Sequence, residues 1–301
     1  MATPRARDVE IGPDHSGQRL DNFLMRELGN VPRALVYRLI RTGQARVNGR
    51  RAKPMKKLAT GDRVRVPPVR DQAPAAKLPA ARVAQVRAAI LHRQQEFLVL
   101  DKPSGLASQA GSGLAWGLND LVAAIDERAA PVHRLDRETS GLMVFALGRI
   151  AARELQRAFR RQTVEKRYLA LLTGHLPEDR VVLDAPLKKI RDGSGQHRVV
   201  VDPDGQSART TFKVLERLRG HDFVEADIES GRTHQIRVHA AEAGAAVAGD
   251  ARYNPSGRTP GLERLFLHAG FLRLPWPEDQ VFSAPLPDDL TAVLDSLRTG
   301  C

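Results

Sequence analysis

The 301-residue sequence contains a single cysteine, Cys301, which is its last residue. An intramolecular disulfide, a zinc site with thiolate ligands and a C-x-x-C redox pair are therefore excluded, and a reducing, cytoplasmic compartment is predicted. Long apolar runs are also missing, since the longest extends over eight residues, from Gly141 to Gly148. A bilayer crossing needs about 20 such residues, and the N-terminus has no apolar signal segment. We therefore expect a soluble protein with no membrane partner.

Familiar cofactor and metal motifs are absent as well. The sequence has neither a G-x-x-x-x-G-K-[ST] phosphate loop nor a G-x-S-x-G nucleophile elbow. His234 and His239 lie five residues apart, which does not place both on one helical face in the i, i+4 pattern of zinc proteases. We therefore expect no metal site.

What the sequence has in excess is positive charge, and most of it lies near the N-terminus. The formal net charge is +12, from 47 Lys and Arg against 35 Asp and Glu. Residues 1–70 hold 16 of the basic and 6 of the acidic residues, a net of +10 that leaves +2 for the rest of the chain. Such a concentration is typical of nucleic-acid binding, whereas a membrane-surface module would need a large apolar face. The alternative is that these arginines only keep a small domain soluble.

Residues 17–66 have the pattern of a compact unit with two short helices and a small sheet. GQRLDNFLMRELG and PRALVYRLIRTG show helical apolar spacing, and QARVNGRR and GDRVRVP are typical of strands. This arrangement resembles the S4 RNA-binding domain. The resemblance implies that arginines of this unit contact RNA, and the candidates are Arg33, Arg38, Arg41, Arg46, Arg50 and Arg51.

The remaining chain divides into a tail, a linker and a larger domain. Residues 1–16 are expected to form an N-terminal tail, and prolines within residues 67–89 predict a Pro/Ala-rich linker. From residue 90 to residue 301, consecutive strand patterns alternate with only occasional helical ones. This mixture predicts an α+β fold, with a largely antiparallel mixed sheet flanked by helices, beside the small N-terminal α/β unit.

One stretch of the larger domain, VHRLDRETSGLMVFA (132–146), places several ionisable residues at the start of a buried strand. Such crowding costs free energy unless the charges are paired or used. HRLDRETSG resembles the signature of the RluA-type pseudouridine synthases, which implies that Asp136 is the catalytic residue. Five further blocks resemble the same family in the same order: LVLDKPSGL (98–106), KRYLAL (166–171), GRTHQIRVH (231–239), GDARY (249–253) and RLFLHA (264–269).

The resemblance implies the pseudouridine synthase fold and roles for three more residues. Tyr168 corresponds to the active-site tyrosine, and Arg237 to the arginine that pairs with Asp136 through a charge-assisted hydrogen bond. Arg134 is expected to fill the gap left when a uridine is flipped out of its stack. The isomerisation has no redox step, so no cofactor is expected. The nearest branch is the S4-bearing, RluC-type one, which implies 23S ribosomal RNA as partner, and the protein is expected to be a monomer.

Three other functions stay open on the sequence alone. The chain could be an S4-domain, ribosome-associated RNA-binding protein without catalysis, or a synthase that acts on a different RNA such as tRNA. The third is a nucleoside hydrolase or glycosylase, which would release free uracil. Glycoside hydrolases use two carboxylates because one must activate water, so a single dominant aspartate favours the isomerase.

Overall fold

The computed structural model describes residues 6–29, 31, 33–68, 78–110, 114–191, 197–255 and 257–299, without the side chains of residues 33 and 34. The chain divides into two compact units, Met1–Lys77 and Leu78–Cys301. Each unit has its own apolar core. No helix in the described ranges is both long and apolar enough to cross a membrane.

The N-terminal unit packs two helices on a three-stranded antiparallel sheet of order β1-β3-β2. Leu20, Phe23 and Leu24 on the first helix are fully buried, which explains the apolar spacing of the sequence there. Its elements are β1 (Arg7–Glu10), a 3-10 turn (Pro13–His15), α1 (Leu20–Glu27), α2 (Arg33–Arg41), β2 (Arg46–Val47) and β3 (Arg63–Val66).

The structure differs from the expected boundaries at both ends of this unit. The expected tail contains β1, whose four residues pair with β3 through backbone hydrogen bonds although none of their side chains is fully buried. The expected linker ends in a helix, α3 (Ala80–Ala88), which follows Pro79 and buries only Val86. Because Pro79 precedes the helix, it does not interrupt it. Residues 69–77 of the linker lie outside the described ranges.

A buried carboxylate fixes the start of α1. Asp21 accepts hydrogen bonds from Arg19 Nε at 3.0 Å and Arg19 Nη2 at 2.6 Å, and a further one from the Tyr37 hydroxyl at 2.9 Å. Burial alone would raise the pKa of Asp21, but these hydrogen bonds outweigh it and lower that pKa. Asp21 therefore stays ionised and ties α1 to α2.

The C-terminal unit is built on a ten-stranded sheet, and the predicted α+β fold with a largely antiparallel sheet is confirmed. The main path has the order β4-β5-β7-β14-β8-β13-β12-β9, and β7 with β14 is its parallel pair. Its strands are β4 (Ile90–Arg93), β5 (Phe97–Lys102), β6 (Ala129–Pro131), β7 (Ser140–Leu147), β8 (Glu165–Thr173), β9 (Arg180–Asp184), β10 (Leu187–Arg191), β11 (His197–Val201), β12 (Arg209–Leu218), β13 (His221–Ile228), β14 (Leu267–Leu274) and β15 (Gln280–Ser283). The strands β10 and β11 form a separate hairpin.

Helices cover both faces of this sheet, which is why β7 is buried along its whole length. Met143 and Phe145 face one core and Leu142 and Val144 the other. Besides α3, the helices are α4 (Leu118–Ala123), α5 (Arg149–Arg160), α6 (Gln235–Glu242) and α7 (Asp288–Thr299). The strand β7 thus has a fixed position, and its first residue follows directly on the loop that carries Asp136.

We predict that Asp21→Asn loosens the N-terminal unit selectively. The change weakens the hydrogen bonds to Arg19 and leaves a buried amide beside a guanidinium, at a cost of about 2–3 kcal/mol. Hydrogen–deuterium exchange of the full chain should show faster exchange in α1 and α2, with no change in β7 or β8. The exposed Asp8→Asn is the control, and equal exchange in the two variants would contradict the assignment.

Candidate active site

The loop before β7, residues 132–139, carries Asp136 and is held by the segment after β5. The Gly105 amide donates to the Arg137 carbonyl at 2.9 Å, and Arg137 Nε donates back to the Gly105 carbonyl at 3.0 Å. Ser104 and Ser108 hydroxyls donate to the carbonyls of Glu138 and Leu135, at 2.7 and 2.8 Å. These bonds fix the loop on both sides of Asp136.

A fully buried lysine completes this attachment. Lys102 Nζ donates to three carbonyls, those of Pro103 and Leu106 at 2.9 Å and that of Arg137 at 3.1 Å. Burial lowers the pKa of Lys102 to about 7, although the negative charge of Asp136 acts in the opposite direction. Lys102 thus joins the segment after β5 to the loop that carries Asp136.

Asp136 lies beside two side chains from the segment that begins α6. Its Oδ2 is 3.6 Å from Arg237 Nη1 and 3.8 Å from His234 Nε2, and one fifth of its side chain is exposed. The expected pairing of Asp136 with Arg237 is present as an ion pair, at a distance too long for a hydrogen bond. The carboxylate is therefore close to positive charge and still open to solvent.

The expected charge-assisted hydrogen bonds of Arg237 are made to a different carboxylate, Asp250. Arg237 Nε and Nη2 donate to the two Asp250 oxygens at 2.6 and 2.7 Å, and both side chains are almost completely buried. Burial opposes the charge on each group, but their mutual hydrogen bonds outweigh it, raising the pKa of Arg237 and lowering that of Asp250. The geometry differs from the prediction because the fork of Arg237 is taken up by Asp250, which leaves only Nη1 toward Asp136.

His234 is held in an unusual backbone conformation next to Asp136. Its φ of 56° lies in the left-handed region, which a residue with a side chain seldom adopts outside constrained sites. The Val199 amide donates to the Tyr253 oxygen at 3.2 Å, so the phenol proton can be donated to His234 Nδ1 at 2.9 Å. Burial lowers the pKa of His234. Because Nδ1 accepts the hydrogen bond from Tyr253, the neutral form of the ring carries its proton on Nε2, which faces Asp136.

Tyr168 lies on β8 and lines a cleft of about 410 Å³ together with Asp136. Burial, aided by the charge of Asp136, raises the pKa of Tyr168, so its hydroxyl stays protonated. The lining is mixed: its apolar members are Leu135, Tyr168, Ile228, Ile236 and Leu267, and its polar members include Thr139, Arg232 and Gln235. We call this space the apolar cleft, after its five apolar side chains. Asp136 is the one carboxylate among its lining residues in the described part of the chain.

Arg134 is exposed and borders the apolar cleft at its mouth. It also borders a second, wider cleft of about 1180 Å³, which shares Asp136, His234 and Arg237 with the first. The structure thus brings the four residues predicted for the larger domain together in the lining of one cleft. The sequence analysis did not identify His234, Asp250 or Tyr253 as site residues, although all three lie in blocks that carry the family resemblance.

His133, the first residue of the HRLD stretch, does not border either cleft. Its Nε2 accepts a hydrogen bond from the Val144 amide at 2.9 Å, and its ring stacks on Phe159 at 4.5 Å. Burial lowers the pKa of His133 to about 3, with a smaller contribution from Lys166. The ring is therefore neutral and anchors the loop to β7 and α5. Among the residues that the structure describes, no cluster of three or more His, Cys, Asp or Glu side chains could hold a metal ion.

The N-terminal unit presents five of the six predicted arginines at its surface. Arg38, Arg41, Arg46, Arg50 and Arg51 are exposed, and the side chain of Arg33 lies outside the described part of the structure. Arg46 Nε donates to the Gly43 carbonyl at 3.0 Å, and the Arg51 side chain packs against the same glycine. Within the described residues, no carboxylate lies within 4.0 Å of these five guanidinium groups. Their charge is therefore available to an anionic partner.

Comparisons with known proteins give both units a family. Residues 96–242 match the family model described as RNA pseudouridylate synthase, and residues 18–64 match the S4 domain. Ribosomal large subunit pseudouridine synthase C of Vibrio vulnificus (strain CMCP6) is 41% identical over 309 residues, which cover 97% of this chain and 96% of that protein. The protein of the same name from Yersinia pestis is 42% identical over 98% and 97% of the two chains.

Two solved structures share the fold of the larger unit. Human RNA Pseudouridylate Synthase Domain Containing 4 is 26% identical, with a TM-score of 0.60 over 72% of this chain and 96% of that one. Human RNA Pseudouridylate Synthase Domain Containing 1 is 29% identical, with a TM-score of 0.57 over 70% and 94%. The likeness therefore extends from sequence to architecture.

We predict that Asp250→Ala destabilises the protein strongly, because it leaves the guanidinium of Arg237 buried without its partner. The expected loss in the free energy of unfolding is about 3–5 kcal/mol, measured by urea denaturation. The control is Asp279→Ala, which removes the partner of Arg273 from an ion pair whose side chains are both about half exposed. That change should cost less than about 1 kcal/mol. Similar losses in the two variants would contradict the role given to Asp250.

Proposed function

This chain belongs to the RNA pseudouridylate synthase family, and from that premise we propose that it isomerises specific uridines of 23S ribosomal RNA to pseudouridine. The relatives that it matches over nearly their whole length are named for the ribosomal large subunit, which supports this choice of substrate. We propose further that it acts as a monomer in the cytoplasm, where that RNA is assembled into subunits. No step of the proposed reaction calls for a cofactor.

The observation that carries the proposal is the position of one carboxylate, Asp136, in a cleft whose lining includes Tyr168 and four aliphatic side chains. Isomerisation breaks the bond between N1 and C1′, turns the uracil within the site and joins C5 to C1′. Asp136 is the residue proposed to act, either by attacking C1′ or by taking the proton from C2′. A hydrolase would need a second carboxylate to activate water, and the lining of the apolar cleft supplies none among the described residues.

Tyr168 and Arg237 are proposed to support Asp136 in different ways. The Tyr168 ring offers an apolar face to the detached uracil, and its hydroxyl remains a hydrogen-bond donor because burial raises its pKa. Arg237 keeps a positive charge 3.6 Å from Asp136, where it helps to orient the carboxylate. Arg134, exposed at the mouth, is placed to occupy the gap in the RNA stack that the flipped uridine leaves.

The N-terminal unit is proposed to dock the RNA through its unpaired arginines. Each guanidinium that approaches a phosphate releases condensed counterions, so such binding weakens as salt increases. The larger domain contributes little net charge by comparison. Affinity for the RNA and chemistry on the uridine are thus assigned to different parts of the chain.

We predict that Asp136→Asn abolishes turnover and leaves RNA binding within a few fold of the wild type. The amide has nearly the same shape but is neither a nucleophile nor a base. Carbodiimide mapping of a 23S transcript detects new pseudouridine, and the mass of the RNA separates isomerisation, which conserves it, from release of uracil. Asp279→Asn is the matched control and should retain full activity. Near-normal turnover by Asp136→Asn would refute the catalytic assignment.

We predict a second, separable effect when Arg46, Arg50 and Arg51 are all replaced by Gln. RNA affinity should fall, and the slope of log K against log salt should become shallower by about 0.7–0.9 for each phosphate that the variant no longer neutralises. The control removes the same charge from exposed arginines of the larger unit, by replacing Arg87, Arg180 and Arg219 with Gln. An identical slope in the two triple variants would mean that the N-terminal arginines only keep the unit soluble.

A further inference from the structure

The second, wider cleft beside Asp136 has a lining that the proposed chemistry uses only in part. Four arginines contribute to it in addition to Arg237, and we call it the arginine cleft. These four are Arg134, Arg137, Arg198 and Arg252. Against them stand two carboxylates, Asp136 and the exposed Glu138. The arginine cleft therefore carries an excess of positive charge at the mouth of the apolar cleft.

Within the described residues, these four arginines have no acidic partner, unlike several other exposed arginines of the same unit. Three exposed arginines elsewhere each bond two carboxylates: Arg217 with Asp179 and Asp222, Arg273 with Asp279 and Glu165, and Arg298 with Glu216 and Asp295. No carboxylate within the described ranges lies within 4.0 Å of a guanidinium of the four cleft arginines. Like charges gathered in this way repel one another unless an anion lies among them.

Uncharged groups hold three of these side chains in position. The Arg198 guanidinium lies 5.4 Å from the centre of the Tyr253 ring, and Arg252 Nη1 donates to the His197 carbonyl. Arg137 Nε donates to the Gly105 carbonyl. Such partners orient a guanidinium without neutralising it. The positions are therefore fixed while the charge remains available.

Tyr253 links β11, the strand that carries Arg198, to the segment that carries His234 and Arg237. The Tyr253 hydroxyl accepts a hydrogen bond from the Val199 amide of β11 and forms another with His234. The Tyr253 ring also lies 5.2 Å from the Arg237 guanidinium. Val199 packs in a small core with Val238 of α6. The β10–β11 hairpin thus has a defined position relative to Asp136.

We propose that the arginine cleft binds the phosphodiester groups that flank the target uridine. Arg198 and Arg252 would contact the backbone on one side of the uridine, and Arg137 on the other. The proposal rests on the proposed function, because a nucleotide whose base occupies the apolar cleft leads its backbone out through the shared mouth. Guanidinium groups frequently bind phosphate in a bidentate manner, and they supply many of the phosphate contacts in nucleic-acid complexes.

The test is a double-mutant cycle between an arginine and a single phosphate. The probe is a 23S fragment that contains a uridine the wild-type protein modifies, with one methylphosphonate at each of the flanking positions in turn. Arg198→Gln and Arg252→Gln should each raise the Kd for the unmodified fragment about tenfold and lower the salt slope by about 1. At one flanking position the methylphosphonate should then cost the variant much less than it costs the wild type.

Two controls separate charge from structure. Arg198→Lys keeps the charge and should restore most of the salt slope, whereas a purely structural role would not be restored by lysine. Arg219→Gln, at an exposed position away from both clefts, should behave as the wild type.

The outcomes distinguish the two proposals. Strictly additive effects at every flanking phosphate, or an Arg219→Gln variant as weak as Arg198→Gln, would overturn the arginine cleft while pseudouridine still forms. Unchanged RNA affinity in both cleft variants would point to a different anionic partner for this surface and would equally refute the inference. The absence of pseudouridine with the wild-type protein would instead contradict the proposed function.

Discussion

The buried contact between Arg237 and Asp250 is the constraint on which the whole site depends. Asp250 accepts two hydrogen bonds from the guanidinium, and it also accepts the backbone amides of Arg252 and Tyr253 at 2.9 and 3.1 Å. One carboxylate therefore fixes the start of α6 and the segment that supplies Arg252 and Tyr253. Because Asp250 takes up the fork of Arg237, no side chain in the described part of the chain donates a strong hydrogen bond to Asp136, which leaves its oxygens open for the proposed reaction.

The local charge of a surface in this protein depends on whether its arginines are paired with carboxylates, and not only on how many arginines it has. On the larger unit, several exposed arginines away from the clefts bond carboxylates, among them Arg273 and Arg298, and the net charge of that unit is small. The arginines at the mouth are oriented by a ring or a carbonyl and keep their charge. A nearly neutral domain can thus present a strongly basic surface at one place, which the sum over its residues conceals.

Sequence patterns predicted those elements whose side chains show a clear period, and missed those held by the backbone. The helix α1 was predicted from apolar residues at helical spacing and the strand β7 from an apolar run, whereas β1 has no buried side chain and forms through ladder hydrogen bonds to β3. Asp136, Tyr168 and Arg237 were expected from the blocks that resemble the family, and all three line one cleft. The charge-assisted hydrogen bonds of Arg237 were expected with Asp136, but they are made with Asp250. A sequence does not show which of these two carboxylates a guanidinium will reach.

The two clefts give the two parts of a flipped nucleotide different freedom, and pseudouridine formation requires that difference. The detached uracil must turn before C5 can meet C1′, while the sugar has to stay in place. Apolar contact with Tyr168 and its neighbours is non-directional, so it retains a base without fixing its rotation. Charge-assisted bonds from guanidinium groups are directional and hold the backbone on either side. In the proposed reaction, Asp136 lies at the boundary between the two environments because C1′ is the atom that joins the moving base to the fixed sugar.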